Sequence, residues 1–184
     1  MQLHQAIQTR RSQPQLGLPV PDSAVLARAF AAAACAPDHR LLRPWRYLVV
    51  TGDGLSRLGE LFAGAVAATD PERAARDGER LRQMPLRAPM IIVAVLAAQA
   101  HPTVPDWEQW LSLGASVQNL LLALHADGFG GMWRTGDLAE HPQVRAGLGL
   151  NEGERIGGFI YVGTPLAEKA PPAVAEHVWQ TWPA

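Results

Sequence analysis

Residues 107 to 136 read WEQWLSLGASVQNLLLALHADGFGGMWRTG and begin with an apolar pattern of helical period. One side of the predicted helix carries Trp107, Trp110, Leu111, Val117, Leu121 and Leu124, and the opposite side carries Leu113, Leu120 and Leu122. A helix that is apolar all round is buried in a core. Gln118 and Asn119 interrupt the pattern too early for a membrane span. The segment therefore predicts a long core helix on which other elements pack.

Glycines mark the end of this helix and the start of a strand. Gly128 stands where helices take a left-handed residue, so we expect the helix to end near Asp127. The spacing GFGG resembles a dinucleotide fingerprint, but that motif needs a strand before the glycines and a helix after them. Here the order is reversed. The following MWRTG is expected to form a strand that offers backbone groups to a planar ring, with Trp133, Arg134 and Thr135 at its mouth.

Composition places the chain among ordinary globular proteins. Its 184 residues, 48% hydrophobic and 18% charged, are enough for one domain over residues 1–184. A net charge of -1 does not favour binding to nucleic acid or to an anionic membrane. The N-terminus lacks an apolar signal core and the lone Cys35 cannot form an internal disulfide, so we expect a cytoplasmic protein. The sequence contains neither a GxSxG motif nor a pair of histidines at metal-binding spacing, so it indicates neither a catalytic triad nor a metal site.

A short opening helix over residues 3 to 10 ends in Arg10, Arg11 and Ser12. The cations can simply complement the helix dipole, with the serine as a turn residue. They can also form an anion clamp, in which two guanidinium groups and a hydroxyl grip a phosphate. The residues alone favour the first interpretation.

Further helices are predicted at residues 22–36, 56–68, 70–83 and 138–147, and strands at 47–51, 90–96 and 156–164. Strands separated by helices indicate an α/β or α+β sheet. The charged segment 70–87 is expected to be a surface helix that forms an excursion outside the core. The tail after Pro171-Pro172 carries Val178, Trp179 and Trp182, and we expect it either to fold back on its own core or to add to the sheet of a second subunit.

Several motifs together resemble the nitroreductase family, in particular its short bacterial YdjA-like branch. They are RRS (10–12), APDHRLLRPW (36–45), AP before the strand at 90–96, VQNLLLALHADGFGGMWRTG (117–136) and GTP (163–165). Each motif is weak alone, but their order and spacing cover nearly the whole chain. The resemblance implies an α+β fold with a central mixed, mainly antiparallel sheet surrounded by helices. It also implies an intertwined homodimer with one FMN per subunit at the interface.

The resemblance assigns roles to eight residues. Arg10, Arg11 and Ser12 are similar to the contact with the FMN phosphate and ribityl chain. His39 corresponds to a contact from the other subunit, and Cys35 to a nearby interface position. Trp133, Arg134 and Thr135 match the segment beside the isoalloxazine ring, with the turn after them facing flavin N5. The loop around His39 departs from the Ser-rich pattern of many relatives, so its polar contacts to the ring are expected to differ.

The implied function is an FMN-dependent NAD(P)H oxidoreductase. A pyridine nucleotide would reduce FMN and leave, and a nitroaromatic, a quinone or a similar small molecule would then be reduced. A cation such as Arg134 near the flavin is expected to favour its anionic reduced form. Glu108 and His125 are candidate proton donors, although such residues more often pack or cap a helix. The alternatives are an FMN carrier or sensor with little turnover, and a structural dimer without flavin.

Overall fold

The computed structural model describes residues 1–170 and 179–182. Its helices are α1 (Leu3–Thr9), α2 (Ser23–Ala33), α3 (Asp53–Thr69), α4 (Pro71–Gln83), α5 (Asp106–Ala126), α6 (Asp137–Glu140) and α7 (Pro142–Gly147). Its strands are β1 (Leu16–Gly17), β2 (Trp45–Thr51), β3 (Met90–Leu96), β4 (Gly130–Arg134) and β5 (Arg155–Pro165). Short 3-10 turns lie at His39–Leu41 and Pro85–Arg87. The predicted elements are present with one exception, and the two-residue β1 is an addition to them. The single helix predicted at 138–147 is two short helices, because His141 is extended and Pro142 begins a new helix.

These strands form one sheet in the order β1-β5-β3-β2, with β4 beside β5. Each strand pair is antiparallel, and within the described residues the parallel contact is an isolated bridge between Ser12 and Gly131. The predicted α+β class with a mainly antiparallel sheet is confirmed. The long β5 joins the two parts of the sheet, because it pairs with β3 along one edge and with β4 and β1 along the other.

Helices cover both faces of the sheet, which explains why β3 is apolar throughout. Alternate side chains of a strand point to opposite faces. Ile91, Val93 and Val95 therefore join the core under α3, whereas Ile92 and Leu96 join the core under α5. All seven residues of β3 are buried. A strand that is buried on both sides reads as a continuous apolar run, as the sequence shows at residues 90–96.

The end of α5 follows the predicted glycine signal. Gly128 has φ of 88°, its N–H donates to the His125 carbonyl at 3.0 Å, and the Phe129 N–H donates to the Leu124 carbonyl at 2.9 Å. This pair of bonds is a Schellman motif, in which a left-handed glycine satisfies the last carbonyls of a helix. The chain can then turn sharply from α5 into β4.

The prediction that α5 is buried all round is wrong for the single chain. Trp107 is 60% exposed and Leu111 is 65% exposed. The sheet and α2 together cover only part of the helix surface, so one apolar stripe at its N-terminal end remains open. Exposed contiguous apolar surface on a folded chain is typical of an interface.

The segment 70–87 does not form an excursion outside the core. Helix α4 packs directly along α3, and Leu81 is buried in the same core as the sheet. Asp70 accepts a hydrogen bond from the Arg73 N–H at the start of α4, which begins the helix beside the end of α3. Charged residues dominate the sequence of α4 because only one narrow side of it faces the core.

Close approach of the two helices depends on Gly59, and this predicts opposite effects for two glycine substitutions in α3. A Cβ on Gly59 would lie 2.3 Å from the Arg82 carbonyl oxygen, whereas a Cβ on Gly64 would meet nothing within 4 Å. Gly59→Ala is expected to destabilise the protein by about 1–3 kcal/mol, because α4 must move away. Gly64→Ala is expected to stabilise it by about 0.5–1 kcal/mol, because alanine favours an exposed helix. Urea unfolding of both variants measures the difference, and equal effects would contradict this packing.

Trp179 and Trp182 are exposed on the described part of the tail. The predicted docking of the tail through residues 171–178, Val178 included, lies outside the described residues. Among the helices that the structure describes, none combines the length and apolar character that a membrane crossing requires.

Candidate functional site

The opening segment of the chain lies against the outer edge of β4. Ser12 forms its bridge with Gly131, and the Gln13 N–H donates to the Gly131 carbonyl at 3.1 Å. Two motifs that the sequence places far apart, RRS and MWRTG, are therefore neighbours in space. Gly130 permits this approach, because a Cβ there would lie 2.8 Å from the Leu16 side chain and 3.0 Å from that of Gln13.

Three cations gather at this edge without an acidic partner. Arg11 donates to the Arg10 carbonyl at 2.6 Å, and its Nε is buried with no hydrogen-bond partner. Lys169 donates from Nζ to the Ser12 carbonyl at 3.0 Å. Burial, followed by the charge of Arg11, lowers the pKa of Arg10. No carboxylate of the described residues forms an ion pair with Arg10, Arg11 or Lys169, so their charge is available to an anion.

His125 lies beside the same arginines at the C-terminal end of α5. Its Nε2 is 2.8 Å from the hydroxyl of Thr9, the last residue of α1. Burial lowers the pKa of His125, and the charges of Arg10 and Arg11 lower it further. The positive charge of the arginine pair therefore disfavours protonation of the imidazole. His125 is predicted from the sequence as a candidate proton donor, but no sequence pattern indicates its contact with Thr9 or its place beside the arginines.

An anion bound by the arginine pair is expected to raise the pKa of His125 towards its usual value, because its negative charge offsets theirs. By linkage, the anion should also bind more tightly as the pH falls through that pKa, since protonation adds a positive charge beside it. Proton NMR titration with and without inorganic phosphate measures the shift. His141, whose Nε2 is 3.2 Å from the Thr69 hydroxyl, is the matched control. A His125 pKa that does not respond to phosphate would argue against an anion site here.

Trp133 and Arg134 point to opposite faces of β4. The Trp133 Nε1–H donates to the Gly157 carbonyl at 3.0 Å, and its ring packs on Gly158, where a Cβ would be 2.1 Å from Nε1. Arg134 stacks over Tyr161 at 5.4 Å, and its Nε is buried without a hydrogen-bond partner. Burial raises the pKa of Tyr161. The indole is thus fixed on the side of α5, and the guanidinium on the side of α3.

Beyond Gly131 the outer edge of β4 is open within the part of the chain that the structure describes. The Gly131 carbonyl points outward to Gln13, so the backbone groups of Trp133, two residues on, point to the same side. The strand ends at Arg134 and the chain turns through Thr135, which is exposed, and Gly136, which has φ of 119°. An open strand edge beside a cationic cluster suits a ligand with a flat polar ring and an anionic tail.

The remaining predicted site residues lie elsewhere. His39 follows α2 in a 3-10 turn, and its Nδ1 is 2.7 Å from Glu108 Oε2, in the first turn of α5. Cys35 is exposed and its Sγ donates to the Ala31 carbonyl at 3.4 Å. Glu108 and His125 are 17 positions apart on one helix, a separation of about 26 Å. The chain therefore places His39 at the N-terminal end of α5 and the arginine pair at its C-terminal end. Trp133 lies between them, because the Gly157 that accepts its hydrogen bond packs on Leu113.

Sequence patterns missed one contributor to the cationic group and left another undecided. Thr9 carries no motif, and it contacts His125 only because α1 packs on the end of α5. Lys169 follows the GTP turn, and its place in the sequence suggests that it reaches the phosphate of a ligand, but the segment has no periodicity that fixes its register; the structure places it on the Ser12 carbonyl. Among residues 1–170 and 179–182, no group of three or more His, Cys, Asp or Glu side chains is arranged to hold a metal ion.

Comparisons with known proteins identify the family and the fold of the chain. The model of the Nitroreductase family matches residues 7–164. A protein of Escherichia coli (strain K12) named "Putative NAD(P)H nitroreductase YdjA" is 40% identical over 157 residues, which cover 85% of this chain and 84% of that protein. The structure of a nitroreductase-like family protein from Bacillus cereus superposes with a TM-score of 0.83 at 25% identity, covering 95% of this chain and 91% of the other. A nitroreductase with bound FMN from Bacteroides fragilis has the same fold, with a TM-score of 0.77, 20% identity and full coverage of both chains.

Proposed function

Because this chain belongs to the Nitroreductase family and is an oxidoreductase of that type, we propose that it forms a homodimer with one FMN per subunit at the seam. NAD(P)H would supply the electrons, and a quinone, a nitroaromatic or a similar small molecule would accept them. When bound, FMN supplies hydride transfer through its N5. The protein supplies binding, orientation and charge.

One observation carries the proposal: three cations that form no ion pair with any described residue lie directly beside the open edge of β4. The Nε of Arg11 is buried and has no hydrogen-bond partner among residues 1–170 and 179–182, although such groups are nearly always hydrogen-bonded in native proteins. A phosphate would satisfy it and would neutralise Arg10 and Lys169. The ring of the same ligand would then reach the backbone of Trp133 and Thr135 on the edge that continues from Ser12. The residues present therefore fit an FMN.

The position of His39 supports placing this ligand between two subunits. His39 contacts Glu108, which is about 26 Å along the helix axis from His125 beside the arginine pair, so His39 is far from an FMN phosphate bound by the same chain. Cys35 follows the part of α2 that packs on Ser116 and Asn119. The open apolar stripe with Trp107 and Leu111 lies at the N-terminal end of α5. We propose that a second copy covers the stripe and brings the His39 loop of each subunit to the FMN of its partner.

The side chains of the ring segment have separate roles in this proposal. Trp133, held by Gly157, forms a rigid wall on the α5 side of β4. Arg134, stacked on Tyr161, places a positive charge on the α3 side, which favours anionic charge near the strand. Ser12 and Thr135 offer hydroxyl groups on exposed backbone at the same edge. These groups orient the ligand and require no nucleophile.

Absorbance spectroscopy of the purified protein, followed by release of any chromophore, tests the cofactor. We expect a yellow protein that releases FMN and is bleached by NADH or NADPH in the absence of air. Steady-state oxidation of NAD(P)H with a quinone then tests turnover. Bound flavin that neither nucleotide reduces would favour the carrier or sensor, and a colourless protein with no affinity for FMN would favour a purely structural dimer.

A further inference from the structure

His39 and Glu108 form a hydrogen-bonded acid–base pair that FMN binding alone does not require. The distance from His39 Nδ1 to Glu108 Oε2 is 2.7 Å, and the two side chains are 47% and 28% exposed. Both line an open cavity of about 320 Å³, whose wall also includes Ser112 and Ala115. The pair therefore faces a space in which a small molecule fits, at the end of α5 that carries the open apolar stripe.

The loop that carries His39 is braced on both sides. The Asp38 carboxylate accepts from the Arg43 N–H at 2.5 Å, which closes the loop on itself. The Gln99 side chain donates to the Leu42 carbonyl at 2.6 Å. Gln109, buried in α5, accepts from the Gln99 N–H at 2.9 Å and donates to the Gln99 carbonyl at 2.8 Å. Adjacent residues of α5, Glu108 and Gln109, thus hold the histidine and its loop.

Backbone strain accompanies this bracing. Arg40, Leu41 and Arg43 have φ of 64°, 53° and 48°, although none of them is a glycine. Left-handed residues with side chains persist only where the surroundings enforce them, and they concentrate at functional sites. The loop therefore presents the imidazole in one enforced orientation.

The contact with Glu108 also determines which ring nitrogen is available. A carboxylate only accepts hydrogen bonds, so Nδ1 is the donor and Nε2 is the nitrogen that can exchange a proton with a molecule in the cavity. A carboxylate behind a histidine fixes the tautomer and the orientation of the ring, as in hydrolase triads. His39 thus has the arrangement of a general acid.

We propose that His39 gives a proton to the electron acceptor and that Glu108 is its positioning residue. This inference rests on the proposed function, in which the cavity of one subunit borders the FMN of the other. Reduction of a quinone to a hydroquinone needs a hydride, which comes ultimately from NAD(P)H, and one proton. The proton leaves His39 Nε2 and bonds to the quinone oxygen, the Nε2 lone pair is left free, and a proton from water restores the imidazolium.

Comparing two acceptors separates proton transfer from flavin binding. Ferricyanide takes single electrons without a proton, whereas 1,4-benzoquinone needs one. In flavin-saturated His39→Gln and Glu108→Gln, the ratio of quinone to ferricyanide turnover is expected to fall about 100-fold, the contribution typical of general acid catalysis. Glu72→Gln, a carboxyl substitution on exposed α4, is the matched control. An unchanged ratio in both variants, including a parallel loss of both activities, would overturn the proposal.

A readout without turnover completes the test. In protein labelled with ¹⁵N-histidine, long-range ¹H–¹⁵N spectra identify His39 by the signal absent from His39→Gln. We expect Nδ1 to carry a proton in both the neutral ring and the imidazolium of the wild type, and the neutral ring to be a tautomer mixture in Glu108→Gln. A wild-type His39 protonated only on Nε2 would refute the assignment even if the enzyme is active. Absence of FMN or of reduction by NAD(P)H in the wild type would instead refute the proposed function.

Discussion

Replacing Arg10 and Arg11 together by alanine is expected to weaken FMN binding at least about 150-fold. A hydrogen bond to a charged group contributes about 1.5–3 kcal/mol, so the loss of two phosphate contacts amounts to about 3 kcal/mol or more. The same change should leave the folding of the flavin-free protein intact or improve it. Burial and the charge of Arg11 already disfavour the protonated form of Arg10, and no described carboxylate compensates either guanidinium.

Fluorescence titration with FMN and thermal unfolding of the flavin-free protein measure these two effects. The matched control is Arg57→Ala with Arg145→Ala, which removes the same total charge from arginines that form no ion pair among the described residues and lie away from β4. The control should retain FMN affinity within about twofold, since exposed charges far from a ligand are screened. Equal losses in both double variants would indicate a general effect of net charge and would remove the case for a phosphate clamp.

Leu111→Arg is expected to convert the proposed dimer to a monomer and to abolish FMN binding, although Leu111 lies at the opposite end of α5 from the arginine pair. Leu111 is 65% exposed in the chain, so its replacement should leave the fold of the subunit unchanged. In a two-fold symmetric interface each substitution occurs twice. The loss of two buried Leu111 side chains, one from each subunit, at about 2 kcal/mol each should raise the dissociation constant of the dimer about 1000-fold.

Sedimentation at several protein concentrations measures the dimer, and flavin content measures the site. Leu86→Arg is the control, because Leu86 is also an exposed leucine, at 45%, but lies in the turn Pro85–Arg87 away from the open stripe. A Leu111→Arg monomer that binds FMN with wild-type affinity would place the whole site within one chain. A Leu111→Arg dimer would place the interface elsewhere.

Much of the fold could be predicted because its signals are local. The apolar run at Met90–Leu96 became β3 with the same bounds, and Gly128 ended α5 through a left-handed turn as its position indicates. Asp22 begins α2 by accepting a hydrogen bond from the Val25 N–H. In each case neighbouring residues determine the result, and a short segment carries all the information.

Predictions failed where the partner of a surface was needed. The charged pattern of α4 suggested an excursion from the core, but Gly59 allows that helix to lie flat on α3 and to bury Leu81. The apolar pattern of α5 suggested burial on all sides, whereas Trp107 and Leu111 remain exposed in the single chain. A period of 3.6 residues identifies an apolar face but not what covers it.

By itself the sequence determined most of the helices and strands and, through its motifs, the family and with it the α+β class. Only the tertiary structure decided that Ser12 pairs with Gly131, that His125 lies beside Arg10 and Arg11, and that His39 bonds to Glu108 at the far end of α5. These contacts join residues distant along the chain. Their formation depends on sheet register and helix packing, which arise from the burial of the whole core and not from any one segment.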